Sequence, residues 1–185
     1  MRYNVQQRAE CVGTFRWIAV YKMELLARWV PTTPEMEVKV LFGRHVWDCA
    51  QHADALGKRA FELRAPLHFT LPPSQTFQQF LRTVADLKGT DERVHAFYDV
   101  ACRSMTEHYR TYLGNTDALM DEPTVRIIEL ILRDYERMAG ERERLTAGIS
   151  KSATPGCMLE CPMLGLDELV LHGVDGKRAK GAALS

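Results

Sequence analysis

The sequence predicts an all-α protein, laid out as a four-helix bundle with an extra short helix in its crossover and an irregular C-terminal tail. Three observations carry that reading. Apolar residues recur every three or four positions along most of the chain. Alternating strand patterns are almost absent, and prolines and glycines divide the helical stretches into two hairpins joined by a longer connection.

The first helix is expected from about Cys11 to Val30, where Pro31 and Pro34 mark a tight connection. Thr33 then reads as an N-cap with Pro34 in the first helical position. The second helix, Glu35 to Arg64, is the most informative stretch. Val38, Leu41, His45, Cys49, His52, Leu56, Ala60 and Leu63 follow one another in steps of three or four and share one face. It ends before Pro66, and a loop runs to Pro72-Pro73. Ser74 caps a shorter helix reaching about Leu87, which Gly89 closes. Thr90, Asp91 and Glu92 open a helix that stops at Gly114-Asn115. Asp121-Glu122-Pro123 begins the last, which reaches about Leu145. Residues 1–147 are thus expected to form the bundle, and 148–185 a linker and flexible tail that contains an apolar patch from Met163 to Leu171.

A chain of 185 residues fits one domain with a substantial core. Its 24 basic and 24 acidic residues balance, and no basic block carries interleaved aromatics, so neither nucleic acid nor an anionic membrane surface is an expected partner. The most apolar run, Phe15 to Val30, is broken by Arg16, Lys22, Glu24 and Arg28, which makes it a core helix and not a membrane span. The start of the sequence shows no secretory or organelle-targeting pattern. Cys11, Cys49, Cys102, Cys157 and Cys161 are odd in number and widely spaced, which suits reduced thiols in a cytoplasmic setting.

Polar groups inside a core stripe need partners. His45, His52 and the adjacent Asp48 lie in or beside the stripe of the second helix. On the first helix, Glu24 shares a face with Trp17, Val20 and Ala27. On the fourth, His108 lines up with Phe97, Ala101, Met105 and Tyr112; on the last, Glu129 runs with Val125 and Leu132, and Asp134 with Ile127, Ile131 and Met138. His108 follows Glu24 at the same interval as Glu129 follows His45, which in two antiparallel hairpins puts the four near one level. Glu24, His45, Asp48, His52, His108 and Glu129 are therefore candidate ligands for a non-haem metal such as Fe or Mn. The competing reading is a hydrogen-bonded layer, without metal, that fixes helix register.

The segments GRHVWDCAQHADALGKRAFELR and TDALMDEPTVRIIELILRDYERM, with acids and histidines facing inward from paired hairpins, resemble a poorly characterised bacterial branch of the ferritin-like superfamily. The resemblance covers roughly Cys11 to Leu145 and lies in layout more than in a diagnostic motif. It implies a ferritin-like four-helix bundle. Di-iron members use a Glu from each of two helices and a Glu-x-x-His from each of the other two. This chain has His45-x-x-Asp48 instead, Glu129 followed by Leu132, and Asp134 followed by Arg137; its literal match, Glu92-x-x-His95, falls in a first helical turn.

No Gly-rich phosphate loop, nucleophile elbow, adjacent His-Asp pair or His-x-x-x-His is present, and Cys157 and Cys161 lack a second pair at zinc spacing. Cys49 reads as a buried inert thiol or, next to Asp48, a reactive one; Trp17, Trp29 and Trp47 read as core packing. Arg126 and Arg133 either pair with Asp48 or Asp134 or are solvated. Two functions follow. One is a metal-dependent oxidoreductase acting on a small molecule that the residues do not specify. The other is a metal-free scaffold for interaction or oligomerisation, with a second copy as a candidate partner and Phe77, Phe80, Leu81 and the Met163–Leu171 patch as candidate exposed surfaces.

Overall fold

The computed structural model describes residues 3–148 and 159–171. Every regular element among them is helical: α1 (Val5–Trp29), a 3₁₀ turn (Val30–Thr32), α2 (Met36–Glu62), α3 (Gln75–Ala85), α4, α5 (Glu122–Gly148) and the short α6 (Leu166–Leu169). Helix α4 is composite. An α-helical start (Thr90–Val94) passes into a π-helical stretch (His95–Cys102) and resumes as α-helix (Arg103–Asn115). No described helix is long and apolar enough to cross a membrane. Cys157 and the tail beyond Leu171 lie outside the described residues.

The helix starts follow from local chemistry. Helix α1 begins earlier than its apolar stripe suggests, because Asn4 and Gln7 form a reciprocal capping box, each side chain bonded to the other's backbone N–H at 2.8 and 3.0 Å. Thr33 is not the cap of α2. Its hydroxyl donates to the Trp29 carbonyl at 2.8 Å, closing the end of α1, and α2 starts two residues after Pro34 with Glu35 at its N-cap. Helix α2 ends in a Schellman motif: Ala65 N–H bonds to Ala60 O and Arg64 N–H to Phe61 O, with Arg64 at φ 66°.

All eight residues of the predicted α2 stripe are buried. They pack most extensively on α1, and on α5 along the other side. The core face of α1 is Phe15, Ile18, Ala19, Lys22, Leu25, Leu26 and Trp29, all at most 5% exposed. That is a different face from the one carrying Glu24. Phe77, Phe80 and Leu81 of α3 are buried, so this helix does not offer the apolar surface expected of it. Inside the stretch expected to be linker and tail, Leu166, Leu169 and Val170 join the core, and Leu169 O accepts from Ser74 N at 2.9 Å; Met163 is fully exposed. Trp47 is 67% exposed and is not core packing, whereas Trp29 is buried and Trp17 stacks half-buried on Tyr21.

Candidate functional site

The centre of the protein holds a lysine. Lys22 lies in register with the apolar residues of α1, one turn from Ile18 and one from Leu25, so its side chain points into the core and is 1% exposed. Its ammonium donates to Cys102 Sγ at 3.0 Å and to Tyr135 Oη at 2.8 Å, and lies 5.0 Å from the centre of the Phe97 ring. Among the described residues, no carboxylate is within ion-pair distance of it. Burial alone favours the neutral amine; the sulfurs of Cys102 and Cys49 oppose that and hold the Lys22 pKa above the ordinary lysine value. Burial pushes the Cys49 thiol up to about 12, and raises Cys102 against the opposing pull of Lys22.

A second row of polar groups follows the seam between α2 and α5. His45 Nε2–H donates to Glu141 at 3.3 Å, because a carboxylate only accepts; Nδ1 then accepts from Tyr98 Oη at 2.6 Å, a tautomer assigned from this network. Two turns along, His52 Nε2–H donates to Asp134 at 2.9 Å. Arg137 sits in the middle and binds Asp48 at 2.8 Å, Asp134 at 3.1 Å and Glu141 at 3.0 Å. Burial depresses the pKa of both histidines below the free value, which leaves them neutral at pH 7. It would also raise Asp134 and Glu141, but hydrogen bonds from His52 and Arg137 to the former, and from Arg137 and His45 to the latter, hold both below the ordinary carboxylate value. With the histidines neutral, Arg137 is the charge that both acids share, and Arg44, 3.5 Å from Glu141, adds to it there.

Of the six candidate ligands, the structure brings His45, Asp48 and His52 together along one face of α2. It does not add the other three. Glu24 and Glu129 are exposed. His108 is buried but lies elsewhere, edge-on to Phe77 at 6.2 Å and beside the groove between α4 and residues 161–166. Equal spacing along two hairpins fixes a level along the helix axes but not the side of each helix, and two of the four residues point outward. Arg126 pairs with Glu122 on the surface, not with Asp48 or Asp134; Arg137 takes both.

The residues present do not fit a di-iron centre. Such a site needs carboxylates converging on one point with free lone pairs. Here each of the three acids on the α2–α5 seam already binds a guanidinium. Among the described residues, no group of three or more His, Cys, Asp or Glu side chains is placed to hold a metal ion.

A further network, not anticipated from the sequence, joins α2 to α4 and α5. Asp121, 0% exposed, accepts from Arg59 Nη2 (3.0 Å), Thr124 (2.6 Å), Tyr112 (2.7 Å) and Thr116 (2.8 Å), while Arg59 Nε donates to Thr124 at 2.7 Å. These bonds overcome burial and lower the Asp121 pKa. The signal was available: Asp121 precedes the first turn of α5, and Arg59 falls beside the α2 stripe between Leu56 and Leu63. Comparison of the chain with known protein families, with curated proteins and with solved structures gives no match in any of the three.

Proposed function

We propose that the chain is a ferritin-like four-helix bundle that works without a metal, as an oligomerisation module whose partner is a second copy of itself. The observation that carries this reading is the position of Arg137. Its guanidinium supplies, at the centre of Asp48, Asp134 and Glu141, the positive charge that a metal supplies in a di-iron bundle. The polar layer then sets which helix faces meet and at what register, the role of a buried ionic group that is best attested.

The outer face of α2 supports the second half of the proposal. Val40, Trp47 and Phe61 recur at multiples of seven residues and are 53%, 67% and 60% exposed. Between the first two, Gly43 has nothing within 4 Å of a Cβ built on it. Large residues beside an open glycine form a surface that can interdigitate with itself about a two-fold axis. Sedimentation analysis of the chain beside Trp47→Asp tests this: a dimer dissociated by the substitution supports the reading, and two monomers at all concentrations contradict it.

One observation favours the alternative, a metal-dependent oxidoreductase using Fe or Mn. The Arg137 side chain is 40% exposed, so it has a route by which to leave His45, Asp48, His52, Asp134 and Glu141 to a metal. Stoichiometric Fe or Mn in Arg137→Ala, absent from the parent, would support that alternative.

A further inference from the structure

Lys22 and Cys102 are two nucleophiles held against each other in a dry core, from helices that no covalent bond joins. Their atoms are 3.0 Å apart; the residues are 1% and 6% exposed. A core that needed only to be filled would place a methionine or leucine at position 22, since a buried ammonium is costly and a thiol is a weak partner for it. The lysine is instead retained with its nitrogen aimed at sulfur. Cys102 also closes the π-helical stretch of α4, a backbone irregularity found frequently at functional sites.

We propose that Lys22 and Cys102 form an oxidative modification site, in which hydrogen peroxide joins the lysine nitrogen to the cysteine sulfur as a sulfenamide that thiols reverse. Burial raises the Cys102 thiol, and the ammonium 3.0 Å away pulls against that rise and is the group that stabilises the thiolate, the form that attacks peroxide. The thiolate takes one peroxide oxygen, the O–O bond breaks, and sulfenic acid and hydroxide result. Hydroxide removes a proton from the Lys22 ammonium and becomes water. The free amine then attacks sulfur, the S–OH bond breaks, and the departing hydroxyl leaves as a second water with a proton from nitrogen. Sulfur is oxidised by two electrons and peroxide is reduced to two waters; the protein loses two hydrogens overall. Tyr135, which hydrogen-bonds Lys22 at 2.8 Å, keeps the amine oriented, and the link ties α1 to α4 through the core.

Cys49 supplies the competing chemistry, because its buried thiol is near enough to act on the Lys22 charge and a Cys49–Cys102 disulfide has the same mass change. The test is peptide mapping of the full chain after hydrogen peroxide treatment, with free thiols blocked in denaturant. The expected product is a Lys22 peptide joined to a Cys102 peptide, lost on reduction and still formed in Cys49→Ser. Lys22→Arg, which keeps the charge but offers no free amine, should give no link and carry Cys102 on to sulfinic acid; Lys22→Met, which removes the charge as well, should give no link and slow Cys102 oxidation. Three results would each overturn the proposal: a Cys102 disulfide, a Cys102 that stays a thiol while Cys161 oxidises, or Cys102 oxidation that is the same in the parent and the lysine variants.

Discussion

Two of the cations buried among the described residues, Arg59 and Lys22, are treated in opposite ways. Arg59, 8% exposed, meets Asp121 and shares with Thr124, Thr116 and Tyr112 a network in which each carboxylate oxygen is bound twice. Lys22, more deeply buried, meets a thiol, a phenol and two aromatic rings. The first arrangement has its charge cancelled and its geometry over-determined, which is what a structural lock requires. The second leaves a charge compensated mainly by polarisable and π-rich groups, in a place where a hydrocarbon would pack. The contrast is between a buried cation met by a carboxylate and one met by none.

That contrast can be broken most decisively at Asp121. Asp121→Ala removes the buried counter-charge of Arg59, leaving it only Glu62 at the surface, 3.0 Å away, and strands the hydroxyls of Tyr112 and Thr116. It should cost about 3–5 kcal/mol of unfolding free energy in urea denaturation. Lys22→Met should do the reverse. Removing a buried charge that no carboxylate meets, while keeping the side-chain volume, should be neutral or stabilising, by up to about 1–4 kcal/mol in the same assay. A loss at Lys22 as large as that at Asp121 would erase the distinction.

A smaller, pH-dependent effect sharpens it on the α2–α5 seam. His45 and His52 have folded-state pKa values below the free value of 6.5. As pH falls through about 6.5 the unfolded chain therefore binds protons that the folded chain resists, so stability is full above that pH and declines below it. Asp134 and Glu141, whose values are also depressed, extend the decline into the carboxylate range. His52→Gln should make the fall between pH 7 and 5 shallower in a series of thermal melts. Smallest of all, Leu119→Ser in the turn before α5 should change stability by less than about 0.5 kcal/mol, because its side chain is 85% exposed and touches neither network.

Much of this was legible in the sequence. The α2 stripe is buried residue for residue, and His45, Asp48 and His52 lie in or beside it because a 27-residue helix with so many apolar positions has one possible inner face. Helix α1 was ambiguous for the same reason in reverse. It is apolar on several sides, so Glu24 with Trp17 and Val20 looked as much like a core face as Ile18, Lys22 and Leu25 do. A lysine counts against burial in any periodicity argument, and its true partners, Cys102 and Tyr135, are separated from it by 80 and 113 residues. Arg137 was read only as the residue three after Asp134, because its other partners, Asp48 and Glu141, meet it on a helix pairing that local patterns do not specify. The π-helical stretch has no sequence signature here and was not foreseen.

The central claim is that protein cations, not a metal, balance the polar core. Elemental analysis of the untagged chain, beside His45→Ala, tests it most directly. The account predicts no stoichiometric Fe or Mn in either protein, even after anaerobic reconstitution with both metals. About one or two equivalents of bound metal in the parent, lost in His45→Ala, would contradict it and make the seam between α2 and α5 a metal centre.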